Sequence, residues 1–292
     1  MRQLTPREMV LMAIRHQETD RIPRGELLVE EAFLDRLYPE MAKASFSEKM
    51  RRFVEEVGLD LVTVRIRDNE EGDEGLQELR KWATETPYFV TALVDGLFWK
   101  QEDPISFEEF VLGIHQGEGR IWELIQIKKE RALKLIQRCL DEGAFGFIIG
   151  DDLAYDRGPF MSPQDLCRWI FPGLQEMVEA IKMGNGVAFL HSCGNLTGII
   201  DLILSFGFDG LHGLAPSAGN DPVAIRQKTK KRLTLMGILE VDRLQPRQLE
   251  AMKEEIIRPL ADGGGYILGS AEGLSVNTPV NSFRALYSGR SA

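Results

Sequence analysis

The sequence predicts an α/β fold, a single-domain (β/α)8 TIM barrel over residues 1–292 with loop insertions. Three observations point there. Short apolar or β-branched runs alternate with longer amphipathic segments, and eight such runs can be counted. The runs are hydrophobic almost throughout, as expected of parallel strands covered on both faces. A length of 292 residues suits such a barrel and is enough to bury a core without disulfide or metal staples. An open doubly wound sheet is the alternative arrangement of the same elements.

In chain order the strand candidates are Gly25–Val29, Leu59–Ile66, Tyr88–Val94, Phe145–Ile149, Val187–Leu190, Asp209–Leu214, Leu233–Leu239 and Tyr266–Leu268. Helical patterns lie between them, at Arg120–Glu142, Pro163–Met183, Gly198–Phe206 and Pro246–Ala261. Ser162-Pro163 reads as an N-cap followed by proline at the first helical position, and Gly143 and Gly207 as helix stops. Asp68–Thr86 and Lys100–Gly119 read as insertions at loops, the second as a segment that could close over a substrate.

Composition narrows the function classes. Lys and Arg total 35 against 45 Asp and Glu, a net charge of −10, which argues against nucleic acid or an anionic membrane as main partner. No apolar stretch approaches the length of a transmembrane helix. The charged N-terminal stretch lacks the pattern of a signal peptide, and an odd number of cysteines (three) fits a reducing, cytoplasmic setting. No G-x-G-x-x-G, Walker A or G-x-S-x-G pattern is present.

A barrel carries its active site at the carboxyl ends of its strands. Those ends hold Glu30 and Glu31, Arg67 and Asp68, Asp95, Asp151 and Asp152, His191-Ser192-Cys193, His212, Glu240 and Glu272. Loop starts are commonly polar, but the chain has only four histidines, and one of them stands two residues from a cysteine. Residues two apart on a strand point the same way, so His191 and Cys193 can reach one ion, and thiolate with imidazole suits zinc. A buried structural cysteine and a hydrogen-bonded core histidine is the competing reading. A catalytic zinc needs a third protein ligand; Glu272 and Glu240 are the first acidic candidates, with Asp151 or Asp152 behind them. The stretch Gly150–Gly158 adds Asp151, Asp152 and Tyr155 as substrate-facing or proton-handling groups, or else a helix-capping loop with an Asp–Arg pair. Cys139 and Cys167 fall inside helical patterns and read as core.

Longer motifs carry a resemblance. Leu4-Thr5-Pro6-Arg7-Glu8 with Asp20-Arg21-Ile22-Pro23 resembles the opening of the uroporphyrinogen decarboxylase and zinc-dependent corrinoid methyltransferase superfamily. Gly150–Pro163, His191–Leu196, Pro216–Asp221, Gly264–Pro279 and Phe283–Tyr287 are similar to its later landmarks. The resemblance implies the barrel. The decarboxylase's R-Q-A-G-R-Y segment is absent; Gly25–Tyr38 is acidic there instead, a poor match for a polycarboxylate porphyrinogen. His191 and Cys193 match the H-x-C of the methyltransferase branch, and Glu272 stands where that branch has a further cysteine.

The resemblance therefore implies a zinc-dependent methyltransferase with His191, Cys193 and Glu272 as metal ligands. It would move a methyl group between a small donor, such as a phenyl methyl ether, and a corrinoid carried by a separate corrinoid-binding protein. Related barrels often pair, so a homodimer is compatible with it. The alternatives are a decarboxylase-like lyase without metal and a non-catalytic accessory protein that docks the corrinoid partner.

Overall fold

A computed structural model describes residues 3–67, 73–229 and 232–288. Seven strands form one parallel sheet: β1 (Leu61–Arg65), β2 (Phe89–Asp95), β3 (Gly146–Gly150), β6 (Val187–Ser192), β7 (Gly210–Gly213), β8 (Thr234–Leu239) and β9 (Tyr266–Ser270), hydrogen-bonded in that order. Two further strands, β4 (Ala154–Tyr155) and β5 (Gly158–Pro159), make a small antiparallel hairpin. Each sheet strand overlaps a run expected from the sequence, and β2, β3, β6 and β9 extend one or two residues past it.

The first run, Gly25–Val29, forms no regular strand. Arg24 and Gly25 make single parallel bridges to Leu268 and Leu61, on β9 and β1, and Val29 bridges Leu274. Side-chain chemistry explains the interruption. Ser270 on β9 gives its N–H to the buried carboxylate of Glu26 at 3.2 Å, where a regular ladder would offer a backbone carbonyl. What is observed is thus a seven-stranded curled sheet whose two edge strands are both touched by the segment at Arg24 and Gly25.

Strand alternation sorts side chains onto two faces. Leu61, Phe89, Ile148, Phe189, Met236 and Ile267 form one cluster with Val10 and Ala13 of the helix Pro6–Ile14. Their neighbours Val62, Val90, Ile149, Leu190, Leu235 and Leu268 join the larger cluster on the opposite face. Burial on both faces is why the strands read as continuous apolar runs.

Helix signals operate largely as expected. Ser162 caps the helix Pro163–Trp169 by accepting the Asp165 N–H at 3.0 Å, and Gly143 and Gly207 adopt positive φ at 92° and 81°. Two expected helices are interrupted. Pro163–Met183 divides at Ile170, because Pro172 lacks an amide hydrogen. Pro246–Ala261 passes through a π-helical turn, Lys253–Ile257, just before Pro259. The first insertion holds the helix Asp73–Glu85, whereas Asp68 lies outside the described residues. The second holds Phe107–Gln116 and is tied down at Asp103, which accepts from Lys128 Nζ at 2.7 Å. Among the described residues, no helix is long and apolar enough to cross a membrane.

Candidate metal centre

β3 and β6 run parallel in a register that pairs Gly150 with His191, and the Asp151 N–H continues the ladder to the His191 carbonyl at 2.9 Å. Asp152 and Cys193 therefore emerge side by side at the C-terminal edge of the sheet. The Asp152 carboxylate accepts the Cys193 N–H at 2.9 Å, and the Cys193 Sγ lies 3.7 Å from His191 Nε2. Single donor atoms from Asp152, His191 and Cys193 all fall within 4.8 Å of one another. One oxygen, one nitrogen and one sulfur at this spacing fit a tetrahedral zinc with an open position.

The backbone around this cluster is held from three sides. Gly194, at φ +82°, has no room for a side chain: a Cβ would sit 2.4 Å from the carbonyl carbon of Ala154 in β4. Asn195 gives its N–H to the Tyr155 carbonyl at 2.9 Å. Asn220, within the motif Pro216–Asp221, accepts the Leu196 N–H at 3.1 Å and donates to the Gly194 carbonyl at 2.9 Å. Ser192 Oγ accepts the Leu153 N–H at 2.9 Å, joining the two strand ends again.

Adjacent residues with matching chemistry separate at this edge. Asp152 is exposed, whereas Asp151 is completely buried and accepts the backbone N–H groups of Leu97 and Phe98 at 3.0 and 2.8 Å. Asp151, expected to face substrate, instead fastens the loop after β2, because consecutive residues at a strand end point to opposite sides. Burial raises its carboxyl above the ordinary range, with Lys100 and the two N–H groups opposing. Tyr155 is exposed and stacks on Phe160, with ring centroids 5.3 Å apart and planes 20° apart.

Neither glutamate named as a third ligand belongs to the triad of donors. Glu240 is buried and engaged by the N–H and hydroxyl of Ser217. Glu272 follows β9 and helps line a cleft of about 230 Å³ together with Cys193, Tyr155, Asp156, Gly194 and Arg243. Its carboxyl is raised by burial and by the negative charges of Asp242, Glu240 and Asp152.

Electrostatics favour a neutral imidazole at His191 and a neutral thiol at Cys193 in the absence of a cation. Burial lowers His191 to about 4, with Asp152 opposing and Lys100 reinforcing. Burial also pushes the Cys193 thiol up to about 12, with the carboxylates of Asp152 and Glu272 adding to the shift. A divalent cation among these groups would reverse the balance by stabilising the thiolate and offsetting the carboxylates. Lys100, which no motif marked, donates to the Gly150 carbonyl at 2.8 Å and brings positive charge behind the cluster. Arg243 donates to Ser217 Oγ at 3.0 Å; its spacing of three residues from Glu240 is the signal that could have placed it here.

Comparison with known proteins finds several to which this chain is similar. Two methylcobamide:CoM methyltransferases MtaA, from Methanosarcina barkeri and its strain Fusaro, are 25% and 24% identical over 198 and 202 residues. Each match covers 68% of this chain and 56% of the relative, so the chain spans little more than half the length of these proteins. The fold is shared by a methyltransferase from Methanosarcina mazei, at TM-score 0.75, 17% identity and 97% coverage of both chains. A 3-keto-D-glucoside 4-epimerase, YcjR, from E. coli follows at TM-score 0.55 and 14% identity, over 92% of this chain and 97% of that one. The profile of the uroporphyrinogen decarboxylase (URO-D) family matches residues 106–290, more than half of the sequence, and the chain belongs to that family.

Proposed function

We propose that this protein is a zinc-dependent methyltransferase that moves a methyl group between a small donor and a corrinoid held by a separate protein. The observation that carries the reading is the set of sulfur, nitrogen and oxygen donors from Cys193, His191 and Asp152 within 4.8 Å. The MtaA relatives, which act on methylcobamide and CoM, support the reaction class.

His191, Cys193 and Asp152 would hold zinc, with Glu272 able to approach from the loop after β9. Zinc bound there supplies Lewis acidity toward the oxygen or sulfur of the methyl donor. The chain's own residues position the reactants. Tyr155, backed by Phe160, offers an aromatic wall, and Arg243 faces the same cleft with Glu272. A cleft of about 230 Å³ suits a single-ring molecule and is small beside the ~300–1,000 Å³ of common ligand pockets, so a tetrapyrrole fits poorly. With only one cysteine in the ligand set, an oxygen donor such as a phenyl methyl ether is the preferred class. Binding in one orientation next to the corrinoid is the main contribution of the protein to an in-line transfer.

The test is metal analysis of protein purified without a polyhistidine tag, together with the spectrum of a corrinoid protein in its cobalt(I) state on mixing with this protein and a phenyl methyl ether, which would give methylcobalt and the phenolate. About one zinc per chain, lost in Cys193→Ala, with a change in the cobalt spectrum, is expected. Substoichiometric zinc, or zinc retained by Cys193→Ala, overturns the ligand assignment. Complex formation with no spectral change would make the protein an accessory factor, and turnover of uroporphyrinogen without metal would make it a decarboxylase.

A further inference from the structure

We infer that His212 is a positioning residue for the metal centre, one that fixes which nitrogen of His191 is presented to the ion. The inference rests on the zinc reading above. β6 and β7 pair His191 with His212 in register, and the two Nδ1 atoms meet at 2.8 Å. That separation requires one hydrogen between them, so one ring donates and the other accepts.

The direction follows from the other end of His191. Its Nε2 faces the Cys193 Sγ at 3.7 Å and is the atom available to a metal. Nε2 must then be free of hydrogen, which leaves the hydrogen on Nδ1 and makes His212 Nδ1 the acceptor. His212 in turn carries its own hydrogen on Nε2. Metal-bound histidines are commonly held in this way through their second nitrogen.

Three observations indicate that the fold accommodates this imidazole for a purpose other than packing. His212 is completely buried, and its Nε2 has only the Ser270 backbone carbonyl to turn to, short of regular hydrogen-bond geometry, a cost an apolar side chain would avoid. Room for the ring depends on Gly237 in β8, since a Cβ there would lie 2.9 Å from His212 Nε2. Gly237 and Ile238 both have positive φ, 83° and 90°, and for a β-branched residue that conformation is strained. A leucine or phenylalanine at residue 212 would bury better, so the imidazole is best explained by its hydrogen bond to His191.

The experiment compares zinc affinity, by competition with a chromophoric chelator, for wild type, His191→Ala, His212→Phe and His212→Asn. Phenylalanine keeps an aromatic ring, though a bulkier one, but removes the acceptor, whereas the Asn Oδ1 takes the place of His Nδ1. The expected result is a roughly 10–100-fold loss of zinc affinity in His212→Phe and affinity close to wild type in His212→Asn. Metal-free His212→Phe loses the partner of His191 Nδ1, so a melt confirms that it still folds; if it fails to fold, His212→Leu serves as the variant without an acceptor. Equal affinity in wild type and His212→Phe, or equal losses in the phenylalanine and asparagine variants, overturns the role of His212 while leaving the zinc site standing. Zinc binding absent from wild type, or unaffected by His191→Ala, overturns the zinc reading and this inference together.

Discussion

Phe98 gives its backbone N–H to the carboxylate of Asp151 at 2.8 Å, from a loop on a different strand. Leu97 does the same at 3.0 Å, so one buried side chain satisfies two buried amides. The next residue, Asp152, spends its carboxylate on Cys193 and the candidate metal centre instead.

Exchange of the two acids therefore has opposite consequences. Asp151→Asn offers an acceptor to only one of the two amides and should cost about 1–3 kcal/mol, with zinc content unchanged. Asp152→Asn still accepts from the Cys193 amide but loses its charge, so it should weaken zinc binding with little effect on stability. Urea melts and chelator competition on both variants check this; lowered zinc affinity in Asp151→Asn alone would refute it.

Arg21 and Asp60 make a two-pronged ion pair, at 2.6 and 2.8 Å, and Asp60 also accepts the Arg24 N–H at 2.9 Å. Asp60 is completely buried, whereas Arg21 is partly exposed. Arg21→Ala strands that carboxylate and loosens the segment bridging β1 and β9, at a cost of about 3 kcal/mol. Lys, which cannot form the fork, should recover only part of it. Chemical denaturation measures the difference, and a cost within error of zero would count against a structural role for the Asp20-Arg21-Ile22-Pro23 motif.

Glu26 sets a pH dependence. Burial pushes its carboxyl up from 4.5 to about 7, opposed by hydrogen bonds from the Ser270 hydroxyl and amide and from the Tyr287 hydroxyl. The phenols of Tyr266 and Tyr287 beside it are raised well above their ordinary value by burial and by the Glu26 charge, so they stay protonated across this range. Because the folded value lies above the unfolded one, the native state holds a proton that the unfolded chain has lost between about pH 4.5 and about pH 7. Stability from this group is thus present below that window and falls by about 3 kcal/mol as pH rises through it. Glu26→Gln should flatten that decline. Melting temperatures across the window test it, and parallel curves for variant and wild type would dismiss the effect.

Much of the fold was legible in the sequence because parallel strands buried on both faces leave continuous apolar runs. All seven sheet strands, from Leu61–Arg65 to Tyr266–Ser270, lie where such runs occur. The segment at Gly25–Val29 misled because it has the same apolar pattern, while the buried carboxylate of Glu26 takes the amide that a ladder would have used. The interruption at Lys253–Ile257 was equally hidden, since amphipathic spacing does not record whether a later proline withholds its hydrogen bond.

The candidate site divides along the same line. By itself the sequence determined that His191 and Cys193 end a strand on one side of the chain, because side chains two apart on a strand share a face. It also determined the family, through motifs that the structure uses mainly as supports, as at Arg21 and Asn220. Only the tertiary structure decided which acid joins the pair, because strand pairing brings Asp152 beside Cys193 and leaves Asp151 buried and Glu240 held by Ser217. It alone set His212 against His191, a contact 21 residues apart in the chain that arises from the register of two neighbouring strands.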